Sequence, residues 1–138
     1  MEMKDKILLD TDFLSYFLIQ KKSAILMMEY ILEKEYLPST TPITKAEMFY
    51  GANKKNWGEK RFSKLENLFE SLYILPFTSI SAVIYGKLRA TLVSSGEDIG
   101  FADTAIGSIA IENNCYLLSR NKKHFEKIEG LKLIPFND

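Results

Sequence analysis

Asp10, Glu47 and Asp103 are the residues of this chain best suited to chemistry. Asp10 follows the apolar run Ile7-Leu8-Leu9 directly, and Asp12 stands two residues further on. An apolar run without polar alternation suits a strand buried on both faces, as in a parallel sheet. In open α/β sheets ligands bind outside the carboxyl ends of the strands, and Asp10 falls at such an end. Each acid also has a structural alternative. Asp10 can accept hydrogen bonds from the turn that follows it, and Asp12 is explained by an N-cap. Thr44-x-x-Glu47 has the spacing of a capping box, which would turn Glu47 back onto its own helix. Asp103, between Gly100 and the apolar run Ala105, Ile106, Ile109, Ala110 and Ile111, can cap a helix.

Long stretches of chain separate the acids, yet each lies near a predicted strand end or helix start. Hard oxygen ligands of this kind suit Mg2+ or Mn2+. Such an ion activates a water and neutralises phosphodiester charge, which is phosphoryl chemistry without a side-chain nucleophile. The rest of the sequence offers less. His124 is the only histidine, which excludes a histidine dyad, and it reads as a surface residue. Cys115 adjoins a strand and reads as buried and inert. A glycine-rich phosphate loop is absent from the sequence, which argues against nucleoside triphosphate use. Lys54, Lys55, Lys60, Arg61 and Lys64 form one basic cluster, and Arg120, Lys122 and Lys123 another. Such runs are solvated faces in most proteins; beside an acidic site they could hold an RNA backbone.

The elements that must position these residues alternate. Strands are predicted at residues 6–9, 36–38, 73–76, 115–118 and 131–134. The first helix begins near Asp12, with Phe13, Leu14, Phe17 and Leu18 inward. Ser23 caps a second helix over 24–34, with Ile25, Met28, Ile31 and Leu32 inward. After a turn at 39–42, a third helix opens at Thr44 and fades at Gly51 or Asn53. A fourth covers 58–72, with Phe62, Leu65, Leu68, Phe69 and Leu72 on one side. A long helix starts at Ser79 or Ser81, runs through Val83, Ile84, Leu88 and Leu92, and ends near 94–96. The next spans 104–112, and its Ala105, Gly107, Ser108 and Ala110 imply close packing on the sheet. A short helical turn carries Phe125 and Ile128. Prolines at 38, 76 and 135 are expected to stop strand extension. About five strands and six or seven helices imply a three-layer α/β/α arrangement around a parallel sheet.

At 138 residues the expectation is one domain over 1–138, large enough for a substantial core. Eighteen basic and 18 acidic residues give zero net charge, which argues against nucleic-acid binding by bulk charge alone. One cysteine excludes a disulfide framework and a thiolate zinc cluster, and suits a reducing, cytoplasmic compartment. The first six residues precede only about three apolar ones, too few for a signal-peptide core. No run approaches the ~20 apolar residues of a membrane span.

Four segments together resemble the PIN-domain ribonucleases, in particular the VapC-type toxins of toxin–antitoxin pairs. They are Leu8-Leu9-Asp10-Thr11-Asp12-Phe13-Leu14, residues 43–52 around Glu47, residues 99–107 around Asp103, and residues 117–131 with Ser119-Arg120-Asn121. The resemblance implies a Mg2+- or Mn2+-dependent endoribonuclease, with Asp10, Glu47 and Asp103 on the acidic metal positions. It also implies that Thr11 hydrogen-bonds a ligand or water beside the first acid. Asp12, Ser119 and Asn121 then support those acids or touch substrate. A VapB-type antitoxin and a homodimer are the partners implied. Phe17, Tyr50 and Trp57 are candidates for the antitoxin groove. Asn121 stands where many members carry a fourth acid, and His124 where an acid often precedes the Phe. These departures leave one metal, on Asp10 and Asp103 with Glu47 acting through water, as the minimum. Two rivals remain. Asp10-Thr11-Asp12 resembles the nucleophile motif of haloacid-dehalogenase phosphatases, but Leu14 stands where Thr or Val is wanted. The other is a PIN-like binding module with a vestigial site.

Overall fold

The structure, a computed structural model, describes residues 5–137. Residues 1–4, the start of the segment read above as too polar for a leader, lie outside the described residues.

Strand β1 (Lys6–Leu9) runs up the centre of a five-stranded parallel sheet of order β3-β2-β1-β4-β5. Its neighbours are β2 (Leu37–Thr40) and β4 (Tyr116–Ser119), with β3 (Tyr73–Ile74) and β5 (Lys132–Pro135) at the edges. The apolar run of β1 behaves as expected: Ile7, Leu8 and Leu9 are at most 2% exposed. The period of two sends successive residues to opposite faces. Ile7, Leu9 and Leu118 join one core, and Leu8 and Leu117 join the other.

Helices α1 (Thr11–Leu18), α2 (Lys22–Glu33), α3 (Pro42–Lys54) and α4 (Glu59–Glu70) supply the first core. Helices α5 (Ser79–Ser94) and α6 (Phe101–Glu112) and the single turn α7 (Lys122–Phe125) supply the second. The layers are therefore α/β/α. Helix α6 is buried from Thr104 through Ala110, and a Cβ on Gly107 would meet Ile128 Cδ1 at 2.6 Å. The close approach at Gly107 is thus to the segment after α7, whereas the composition implied close packing on the sheet.

Of the three prolines expected to end strands, Pro38 acts differently. Pro38 lies inside β2, opposite Ile7, and β2 continues through Ser39 and Thr40 instead of turning there. The short β3 pairs only with Ser39 and Thr40, so the ladder on that side begins beyond the proline. Pro135 is the last residue of edge strand β5, where a missing N–H is tolerated. In α2, Ala24 is buried while Leu32 is 55% exposed, and Lys21, not Ser23, is the N-cap residue. Val83 on α5 is 75% exposed, so the inward side of that helix is narrower than its sequence suggests.

Candidate active site

The strand order reverses between β1 and β4, whose carboxyl ends carry Asp10 and Ser119. This is the switch point at which open α/β sheets bind ligands. The backbone N–H of Asp10 donates to Leu118 O at 3.1 Å, which fixes Asp10 to the adjacent strand. Its side chain is fixed as well. Oδ1 accepts from the Thr11 N–H at 2.8 Å, and Oδ2 accepts from Ser119 Oγ at 2.6 Å. Ser119 is fully buried and also accepts from the Asn121 N–H at 2.9 Å. Asp10 is therefore the N-cap of α1, and Asp12 sits exposed in the first helical turn, contrary to the capping role expected of it.

Helix α3 starts two residues earlier than predicted. Thr41 is its N-cap, Pro42 takes the first turn, and Thr41 Oγ1 accepts from the Thr44 N–H at 3.0 Å. Thr41, not Glu47, thus satisfies the helix start. Glu47 is left on the second turn, where its Oε1 accepts from Thr11 Oγ1 at 3.2 Å. Asp103 likewise lies inside the first turn of α6, after an N-cap at Gly100 whose φ of 88° suits glycine. A negative charge in a first turn is favoured by the helix dipole.

His124 was not among the expected site residues. The α7 turn places its Nδ1 2.7 Å from Asp103 Oδ2, although the side chain remains 42% exposed. A carboxylate only accepts, so Nδ1 carries the hydrogen. Asn121 Nδ2 then donates to the same Oδ2, at 3.3 Å. The i, i+3 spacing of Asn121 and His124 on one helical turn was the available signal.

Electrostatics ties these groups together. Burial pushes the Asp10 carboxyl from its usual 3.8 up to about 6; the bonds from Ser119 and Thr11 oppose the rise, and the charges of Asp103 and Asp12 add to it. Burial also raises Glu47, opposed by the Thr11 bond and aided by Asp103 and Asp12. Asp10, Glu47, Asp103 and Asp12 therefore form one repelling cluster. A donor set of carboxylate oxygens, with the hydroxyl of Thr11 and the amide of Asn121 beside them, suits a hard divalent cation. Asp10, Asp103 and Glu47 are the residues that could hold one. Among the described residues, no three His, Cys, Asp or Glu side chains converge tightly enough to form a ready-made metal site.

One flank of the cluster carries Arg120, which donates to Tyr16 Oη and lies over its ring, with Lys21 4.3 Å from the same ring centroid. Cys115 is buried, and its thiol is raised to about 11 by burial, in keeping with an inert residue. Trp57 lines a pocket between α1 and α3, Phe17 lines another between α1, α2 and α4, and Tyr50 is 66% exposed. No helix of the described residues is long and apolar enough to cross a membrane.

Comparison with known proteins agrees with this fold. The family model described as "PIN domain" matches residues 7–131. A Rickettsia felis protein named Ribonuclease VapC2 is 32% identical, over 91% of this chain and 94% of its own length. A Shigella flexneri protein named tRNA(fMet)-specific endonuclease VapC is 26% identical, over 92% of this chain and 95% of its own. Among solved structures, VapBC2 from Rickettsia felis bound to a DNA fragment from its promoter superposes with a TM-score of 0.88. That match is 30% identical and covers 96% of this chain and 99% of the other.

Proposed function

The chain belongs to the PIN-domain family, and from that premise we propose that it is a metal-dependent endoribonuclease, the toxin of a type II toxin–antitoxin pair. One observation carries the reading. At the sheet's switch point a buried carboxylate, Asp10, is raised to about 6, and the charges acting on it are those of two further acids, Asp103 and Asp12. Such a cluster calls for a cation. The family's divalent-metal use supplies the class; Mg2+ or Mn2+ is our assignment, from the oxygen-rich donor set.

When bound by Asp10 and Asp103, with Glu47 beside them, the ion supplies a Lewis acid that neutralises phosphodiester charge and makes water more acidic. The protein does the positioning. Ser119 and Thr11 hold the two Asp10 oxygens in one orientation, and His124 with Asn121 holds Asp103 Oδ2. Thr11 also fixes Glu47 Oε1, and the raised proton affinity of Glu47 suits it to accept a proton from an attacking water. Asp12, exposed beside the cluster, adds negative potential to it.

The antitoxin partner is proposed from the VapBC complexes among the similar structures, and the homodimer and cytoplasmic location from the toxin reading. Transfer RNA is the first substrate to try, given the names of two relatives. The test is cleavage of labelled RNA with Mg2+ or Mn2+. Wild type cleaves, and Asp10→Asn and Asp103→Asn, folded by circular dichroism, do not. Equal cleavage by Asp10→Asn refutes the assignment. A second reading, a PIN-like binding module, is favoured by the zero net charge and by Asn121, an amide where many members of the family carry a fourth acid. It predicts a folded wild type that neither cleaves RNA nor binds millimolar Mn2+.

A further inference from the structure

Beside the acidic cluster a trough of about 370 Å³ runs between α1 and α3 toward the start of α4. Its near end is the site itself, because Thr11 and Glu47 line it. Along α3 and its C-cap the lining residues Glu47, Gly51 and Lys55 follow at i, i+4 and i+8, so they form one ridge. Its far end is lined by Trp57 and Arg61, whose guanidinium carbon lies 4.1 Å from the indole centroid. The trough is thus acidic where it meets the cluster, and aromatic and cationic at the other end.

Gly51 gives the trough its significance. Glycine in a helix interior costs about 1 kcal/mol relative to alanine, so it needs a reason there. Close packing is not the reason: a Cβ built on Gly51 meets no heavy atom within 4 Å. A positive φ is not the reason either, since Gly51 lies within regular α3. What a side chain would do is stand in the trough, one turn beyond Glu47.

We propose that this trough is a nucleobase subsite for the nucleotide flanking the scissile phosphodiester, kept open by Gly51. The Trp57–Arg61 pair is its stacking wall, and Lys55 sits on its phosphate side. The occupant is chosen by complementarity. A flat heterocycle stacks on an indole or guanidinium plane, and the adjoining phosphates meet Lys55 and Arg61. Direct continuity with Thr11 and Glu47 puts this nucleotide next to the reacting phosphate. The proposal rests on the ribonuclease reading for its substrate class.

Trp57 is the only tryptophan, so its fluorescence reports on the trough. The probes are the tetraribonucleotides rA4, rC4 and rU4 and an abasic tetranucleotide of equal charge, titrated in EDTA so that nothing is cleaved. Wild type should show saturable quenching by at least one base-bearing probe and none by the abasic one. Gly51→Leu keeps the fold and fills the trough. It should weaken that binding about ten- to hundredfold, the range expected for losing a stacked base. The same variant should raise KM for RNA more than it lowers kcat, with Mn2+ affinity unchanged. Arg61→Ala should weaken binding in the same direction. Quenching by the abasic probe equal to that by the others overturns the proposal, as does wild-type oligonucleotide affinity in Gly51→Leu. The latter is what a trough serving a protein partner predicts. If wild type cleaves RNA but no probe quenches, the subsite fails and the nuclease stands. If probes quench but no metal supports cleavage, the nuclease reading fails and the base site stands.

Discussion

Replacing Asp10 by asparagine should stabilise the metal-free fold while it removes the activity. The folded carboxyl titrates at about 6 against an ordinary 3.8, so the folded protein holds this proton more tightly than the unfolded chain does. Protonation therefore favours folding. Stability contributed by the neutral form is complete below about pH 4 and is lost as pH rises through about 6. At 1.36 kcal/mol per pKa unit, the charged group costs the fold about 3 kcal/mol at pH 8. The group is only 6% exposed, so solvent screening removes little of that. The asparagine side chain would be neutral and keep an acceptor for the Thr11 N–H, but it loses the charge-assisted bond from Ser119. The net gain should be about 1–3 kcal/mol, or several degrees in Tm. The assay is urea unfolding of both proteins in EDTA at pH 8, 6 and 4. The advantage of Asp10→Asn should be largest at pH 8 and shrink toward pH 4. An Asp10→Asn protein less stable than wild type at pH 8, or a difference independent of pH, would refute the reasoning.

Ser119→Ala removes a bond that lowers the Asp10 pKa, so it should destabilise by about 2 kcal/mol at pH 8 and by less at pH 4, read from the same urea curves. Thr41→Ala removes the side-chain cap of α3 and should cost about 1 kcal/mol, seen as a lower urea midpoint with an unchanged slope. Gly107→Val forces a branched side chain against Ile128, where even a Cβ would stand 2.6 Å from Cδ1. It should cost about 1–3 kcal/mol in thermal unfolding, with Mn2+ affinity unchanged.

The centre of the sheet was legible because β1 and β4 are largely buried and read as short apolar runs; β1 fell at the predicted residues. Helix starts were less legible, because capping depends on which side chain reaches the backbone. Thr41 and Thr44 offer the same hydroxyl chemistry, and the chain uses Thr41, which releases Glu47 from the capping box that its spacing suggested. The same applies to Asp10 and Asp12: either could cap α1, and pairing of β1 with β4 selects Asp10. Leu32 and Val83 are apolar yet exposed, because an apolar residue on a helix need not face the core. His124 was invisible as a partner of Asp103 because the contact joins α7 to α6 across 21 residues of sequence. Gly51 looks like a helix terminator in sequence, whereas α3 passes through it to Lys54.

Calorimetric titration of Mn2+ into the metal-free protein at pH 8 tests most directly whether the carboxylate cluster around buried Asp10 forms a cation site. Saturable binding by wild type, lost in Asp10→Asn and Asp103→Asn and retained in Gly51→Leu, is the expected result. No binding by wild type at millimolar Mn2+, or equal binding by Asp10→Asn, would contradict it.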